Sequence, residues 1–167
     1  TLAMDQLVNH AAKIRYMTDG QLSVPMTIRV QGGVGGGFGA QHSQSLEAWF
    51  LHVPGLKVVA PSSVKDAAGL LVAAIRDDDP VVYLEHRGLY WTKGLRAPDE
   101  TPTPIGTAAV VRSGSDVTVV AVSRMVGIAV SAAEKLAEDD IDVEVLDLRS
   151  VAPIDWATID ESVRRTR

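Results

Sequence analysis

Two short stretches of the 167-residue chain carry residue types that could do chemistry. In "GGVGGGFGAQHSQS", residues 32–45, six glycines lead to a histidine, His42. In "AAIRDDDP", residues 73–80, Asp77, Asp78 and Asp79 follow directly on an expected helix C-terminus. Glycine loses more backbone freedom on folding than any other residue, so six in one loop need a reason. Three readings stand: a cradle for dinucleotide phosphates, a slack surface loop, or a bare backbone that lets a cofactor or a partner subunit come close. Gly35, Gly37 and Ala40 satisfy G-x-G-x-x-A. That fingerprint also wants an acidic residue at the end of the next strand, and Val59-Ala60-Pro61 stands there. No Gly-Lys-Ser or Gly-Lys-Thr follows the loop, which excludes a P-loop. His42 falls on a strand-to-helix turn at the carboxyl edge of the expected sheet, where ligands bind, and it can exchange a proton near neutral pH. His10, on a helix, and His52 and His86, at element ends, read as structural. The three aspartates are wrong-signed for a helix C-terminus. A cation held by the last helical carbonyls and the carboxylates, all hard oxygen ligands, would remove the conflict, and so would plain solvation of an acidic turn.

These groups have to be positioned by the elements around them. Hydrophobic residues make up 46% and charged residues 22% of the chain, an ordinary globular composition. The net charge of −5 offers no basic field to hold nucleic acid or an anionic membrane. No apolar run reaches the length of a membrane span. The absence of cysteine excludes disulfides and thiolate metal sites. The chain opens at Thr1 inside "TLAMDQLVNHAAKIRYM", which reads as the body of a helix, so a piece of a longer chain is expected. Met4, Leu7, Val8, Ala11 and Ile14 repeat there at helical spacing. "SVPMTIRV" reads as a strand, "SLEAWFLHV" as a short helix capped by Ser43 or Ser45, and "LKVVAP" as a buried strand. Ser62 or Ser63 caps a helix over 64–76 with Val64, Ala67, Leu70, Leu71, Ala74 and Ile75 on its apolar face, and "PVVYLEH" is the next strand. This alternation predicts an α/β fold with a parallel, doubly wound sheet. Residues 87–106, with three prolines and three glycines, read as a linker between a first unit, 1–86, and a second, 107–167. In the second unit two strands flank a Ser-Gly-Ser-Asp turn. A helix over 127–138 turns Ile128, Ala132 and Leu136 inward, "DVEVLDL" is a strand, and Asp155 caps a last helix through Val163.

Taken in order, "DQLVNHAAKIRYM", "AQHSQSLEAWFLHVPGLKVVAPSS", "DAAGLLVAAIRDDDPVVYLEH" and "DVTVVAVSRMV…VEVLDLRSVAPID" resemble the β subunit of the thiamine-diphosphate-dependent 2-oxo-acid dehydrogenases, a transketolase-like family. The resemblance covers the whole chain. It implies the C-terminal half of a pyrimidine-binding domain in 1–86 and the first half of a transketolase C-terminal-type domain in 107–167. It implies oxidative decarboxylation of pyruvate, with acetoin or branched-chain types as alternatives, and acyl transfer to lipoamide. It implies that His42 is an active-site residue handling protons. It also implies potassium on the backbone of Ala74 and Ile75 and on Asp77 and Asp79, although Asp79 stands where relatives often carry asparagine. Thiamine diphosphate and its magnesium would be held mainly with an α subunit in a heterotetramer that serves a lipoyl-bearing acyltransferase. The family's catalytic glutamate and stacking aromatic would lie upstream of Thr1, so this chain alone would be inactive. The compartment implied is the bacterial cytoplasm, or the mitochondrial matrix in a eukaryote. A non-catalytic fragment or paralogue that keeps only the α/β subunit interface is the alternative.

Overall fold

The computed structural model describes residues 2–95 and 101–166. The chain begins with α1 (Leu2–Asp5), a π-helical stretch (Gln6–Ala11) and α2 (Ile14–Met17), followed by β1 (Thr27–Gly32). After the glycine loop come α3 (Gly39–His42), α4 (Glu47–Leu51), β2 (Lys57–Val59), α5 (Val64–Ile75) and β3 (Val81–His86). The second half holds β4 (Ala109–Arg112), β5 (Val117–Ala121), α6 (Arg124–Leu136), β6 (Val143–Asp147), β7 (Ser150–Ala152) and α7 (Trp156–Arg165). Of the expected linker, residues 96–100 lie outside the described residues.

The apolar runs form strands because each can bury both faces. In β2 and β3, Val58, Val82 and Leu84 point to one side, against Leu7, Ala11 and Phe50. Val59, Val81 and Tyr83 point to the other side, against Leu70 and Ala74 of α5. β3 is buried from Val81 to Glu85, as a central strand of a covered sheet must be. Ser63 caps α5 by accepting the Asp66 amide N–H, and Asp155 caps α7 by accepting that of Thr158, as the sequence predicts.

Among the described residues the first sheet has the order β1-β3-β2-β7 and the second β4-β6-β5. β1, β3 and β2 are parallel, with Gly32 level with His86. The expected parallel pairing holds for β1, β3 and β2 and for β5 and β6, whereas β7 runs antiparallel to β2 and β4 antiparallel to β6. Neither antiparallel pair is a hairpin: β5 and α6 lie between β4 and β6, and β7 meets β2 from the other half of the chain. β7 leaves β6 after two residues and joins the other sheet, so the second half of the chain completes the first layer.

Four local expectations also change. The opening helix passes from α1 straight into the π-helical stretch and is interrupted by a turn at Ala12 and Lys13. Neither Ser43 nor Ser45 caps α4; Leu46 holds that position with no side-chain bond, and Gly39–His42 forms a separate turn. Ile75 is 64% exposed at the last position of α5. On α6 the face turned inward is Val126, Ala129, Val130 and Ala133, while Ile128 and Leu136 are 48% and 37% exposed and Ala132 is exposed too.

Candidate active site

The two stretches with chemical potential lie at opposite ends of the parallel strands. The glycine loop leaves the carboxyl end of β1, while the aspartates precede the amino end of β3, beside Lys57 at the start of β2.

At the carboxyl end the loop is tied to its surroundings by backbone and by borrowed side chains. The Gly33 N–H donates to the Gln44 carbonyl at 2.9 Å. The His86 ring lies against Gly33, so that a Cβ there would fall 2.3 Å from its Cδ2. The Arg124 guanidinium occupies the same position against Gly35, 2.6 Å from where a Cβ would stand. Both glycines have positive φ, +94° and +99°, so no other residue suits either the backbone or the space. The close approach expected of a cofactor or partner is therefore taken, at these two positions, by the chain's own His86 and Arg124. Gly37 and Gly39 differ: nothing lies within 4 Å of a Cβ at either.

His42 ends α3 with its side chain exposed beside that open stretch. Its carbonyl accepts a hydrogen bond from Arg87 Nη1 at 3.2 Å, and its ring makes no hydrogen bond among the described residues. His86, read from sequence as structural, accepts the Gly88 N–H on Nδ1 at 3.1 Å. Burial and the nearby Arg124 charge push its pKa down, so it stays a neutral acceptor at physiological pH. Beside it is a cleft of about 280 Å³, lined by Arg29, Ser62, Tyr83, Glu85, His86 and Tyr90 among others. Glu85 is bridged by Arg29, through Nε and through Nη2 at 3.0 Å, and by the Tyr90 hydroxyl at 2.6 Å. Burial alone would raise its carboxyl, but these bonds outweigh it and hold the group ionised, below its usual range.

The other end is closed by charge. Lys57 Nζ donates to both Asp77 oxygens, at 2.7 and 2.8 Å, and lies 3.2 Å from Asp79. Arg15 adds a bond of 2.7 Å to Asp79. Burial opposes both charges, yet the pairing raises the Lys57 pKa and lowers that of Asp79. The Asp77 N–H donates to the Ala74 carbonyl at 3.3 Å. A cavity of about 730 Å³ opens beside this corner, but it is walled mainly by Ala11, Ala12, Val24, Pro54 and Leu56 and is lined by neither a histidine nor the glycine loop. The carboxyl end, where proton-exchanging side chains meet bare backbone, is the better candidate.

Sequence reasoning missed Arg87 and Arg124. Each directly follows a strand end or opens a helix at the carboxyl edge, a position that could have marked them.

Comparison with known proteins agrees with this architecture. The transketolase pyrimidine-binding domain matches residues 2–92 and the transketolase C-terminal domain residues 106–167. The chain is 52% identical to the mitochondrial pyruvate dehydrogenase E1 component subunit beta-1 of Arabidopsis thaliana, over 98% of this chain and 46% of that protein. It is 46% identical to the acetoin:2,6-dichlorophenolindophenol oxidoreductase subunit beta of Cupriavidus necator, over 99% of this chain and 49% of that protein. It thus spans about half the length of these relatives. Among solved structures, a split-gene transketolase in an inactive β4 tetramer superposes with a TM-score of 0.72 at 26% identity, over 95% of this chain and 52% of that one. The chain belongs to the transketolase family, carrying its pyrimidine-binding and C-terminal domain types.

Proposed function

We propose that this chain is part of the β subunit of a thiamine-diphosphate-dependent 2-oxo-acid dehydrogenase, acting on pyruvate, with acetoin or a branched-chain 2-oxo acid as alternatives. The observation that carries the reading is the exposed His42 imidazole beside the unfilled flank of Gly37 and Gly39, at the carboxyl edge of the sheet. The identity to pyruvate dehydrogenase and acetoin oxidoreductase β subunits supports it. When bound, thiamine diphosphate supplies the electron sink for loss of carbon dioxide. His42 takes or gives a proton at a ring nitrogen during decarboxylation or acyl transfer to lipoamide. Gly37 and Gly39 let a cofactor or an α subunit approach the backbone. The cofactor's diphosphate and its magnesium are assigned to the α subunit of a heterotetramer, whose acyl product passes to a lipoyl-bearing acyltransferase. No residue here matches the family's catalytic glutamate, so the 167-residue chain by itself is expected to turn over nothing.

The domain boundary is proposed within 87–106; the two family matches stop at 92 and resume at 106. Potassium is proposed at the end of α5, on the carbonyls of Ala74 and Ile75 with Asp77 and Asp79. That all-oxygen set suits a large hard cation. Lys57 and Arg15 already match both carboxylates, so the ion would gain mainly from the carbonyls and add only slightly to stability. The compartment proposed is the bacterial cytoplasm or the mitochondrial matrix; among the described residues no helix is long and apolar enough to cross a membrane.

The test is to assemble the full-length β chain with its α subunit and assay thiamine-dependent acylation of lipoamide from pyruvate, acetoin and branched-chain 2-oxo acids. Turnover of one of them is expected. An assembled but inert heterotetramer would favour the interaction module.

A further inference from the structure

We propose that Arg87 and Arg124 are positioning residues that hold the two limbs of the glycine loop and thereby set the pose of His42; this rests on the reading of His42 as the active-site group. The loop cannot hold itself. Its non-glycine residues before His42 include Val34 and Phe38, 61% and 50% exposed, and its own backbone tie is the Gly33–Gln44 bond. A segment with six glycines and so little packing samples many conformations unless something external selects one.

Two guanidinium groups make that selection from different parts of the chain. Arg87, directly after β3, takes the exit limb. Its Nη1 donates to the His42 carbonyl at 3.2 Å, its Nη2 reaches Gln31 Oε1 at 3.5 Å, and its Cζ lies 5.0 Å from the centroid of the Phe38 ring. One side chain thus grips α3 at both ends, Phe38 before its first turn and His42 at its last position. Arg124, the first residue of α6 in the second unit, takes the entry limb, its Nη1 donating to the Val34 carbonyl at 3.0 Å. It reaches that carbonyl across Gly35, where any side chain would collide with it. The preceding residue, Ser123, is a buried non-glycine at φ +53°, a costly conformation that sets the departure of α6 and so the aim of Arg124. The guanidinium fork suits this task, because it donates in fixed directions to carbonyls and also lies on an aromatic face. The second unit thereby contributes to the site without touching the reacting atoms.

The experiment uses the full α/β assembly with Arg87→Met, Arg124→Met, Arg87→Lys and Arg124→Lys, and reads amide hydrogen exchange over residues 33–42, kcat, KM and Tm. In each methionine variant, exchange in the loop should rise roughly tenfold or more while Tm barely moves, as for a local opening. Lipoamide-acylating kcat should fall about tenfold or more with KM for the 2-oxo acid little changed, as expected when a reacting group is mispositioned rather than removed. The lysine variants should recover part of both. Unchanged exchange in the methionine variants overturns the proposal, and so does faster exchange with an unchanged kcat. Should a methionine variant fail to fold, the lysine pair decides by the same two readouts. His42→Ala measured alongside separates the two ideas: if it turns over normally, the site reading fails, while the exchange data still report whether the arginines hold the loop.

Discussion

At the amino end of β2 and β3, Lys57 and Arg15 close on Asp77 and Asp79 at 2.7 to 3.2 Å. At the carboxyl end of the same sheet, β1 runs out into bare glycine backbone and His42 stands exposed. Both ends were candidates for chemistry. The difference is that one end spends its charges on itself, whereas the other keeps a proton-exchanging ring unpaired among the described residues and holds it through main-chain contacts. A closed ion network stabilises, and an open edge with backbone exposed can admit another molecule. The aspartate corner is thus occupied by its own ion pairs, whereas the glycine edge leaves His42 and the flank of Gly37 and Gly39 open.

The comparison breaks most completely if the shared core is damaged. Leu70, fully buried between α5 and the strands, supports both ends. Leu70→Ala should cost about 3 kcal/mol in denaturant unfolding and weaken both ends together. Lys57→Met should act on the closed end alone, costing about 1 kcal/mol because the pair is only partly buried. The sign of the pH dependence follows from the two shifts. Asp79 is depressed below its ordinary 3.8, so its contribution is present above that value and lost as pH falls through the lowered one. Lys57 is raised above its ordinary 10.5, so its contribution is present below that value and lost as pH rises through the raised one. Unfolding at pH 3 and pH 7 should therefore differ less in Lys57→Met than in the parent chain. Phe38→Ala removes the ring under Arg87 and should loosen the open end by roughly 0.5 kcal/mol, visible as faster loop exchange with Tm unchanged. Potassium in place of a bulky cation should raise Tm least of all.

Much of the frame was legible in the sequence. The order of strands and helices in 57–86 follows from apolar runs and from Ser63, because a cap and a buried strand are local signals. The orientation of α6 was not legible. Its two neighbouring apolar stripes, Ile128–Ala132–Leu136 and Val126–Ala129–Val130–Ala133, both satisfy helical spacing, and only the placement of β6 decides which is buried. β7 escaped for a similar reason: three residues carry no period, and they pair with a sheet formed some ninety residues earlier. At the site, His42 and the glycines stood out by type and spacing. The groups that hold them did not, because Arg124 meets Val34 across 90 positions and Arg87 meets His42 across 45. At the acidic corner the carboxylates stood out by type, but their partner did not. The Lys57 that neutralises the corner is 20 residues away and on a different element.

The most direct test of the central claim is the rate of lipoamide acylation by the full-length heterotetramer carrying His42→Ala, measured together with its Tm. The account predicts a loss of roughly 10²-fold or more in kcat with Tm within a degree or so of the parent, because an exposed proton-handling ring contributes to the reaction and little to the fold. Normal turnover with the imidazole removed would contradict it.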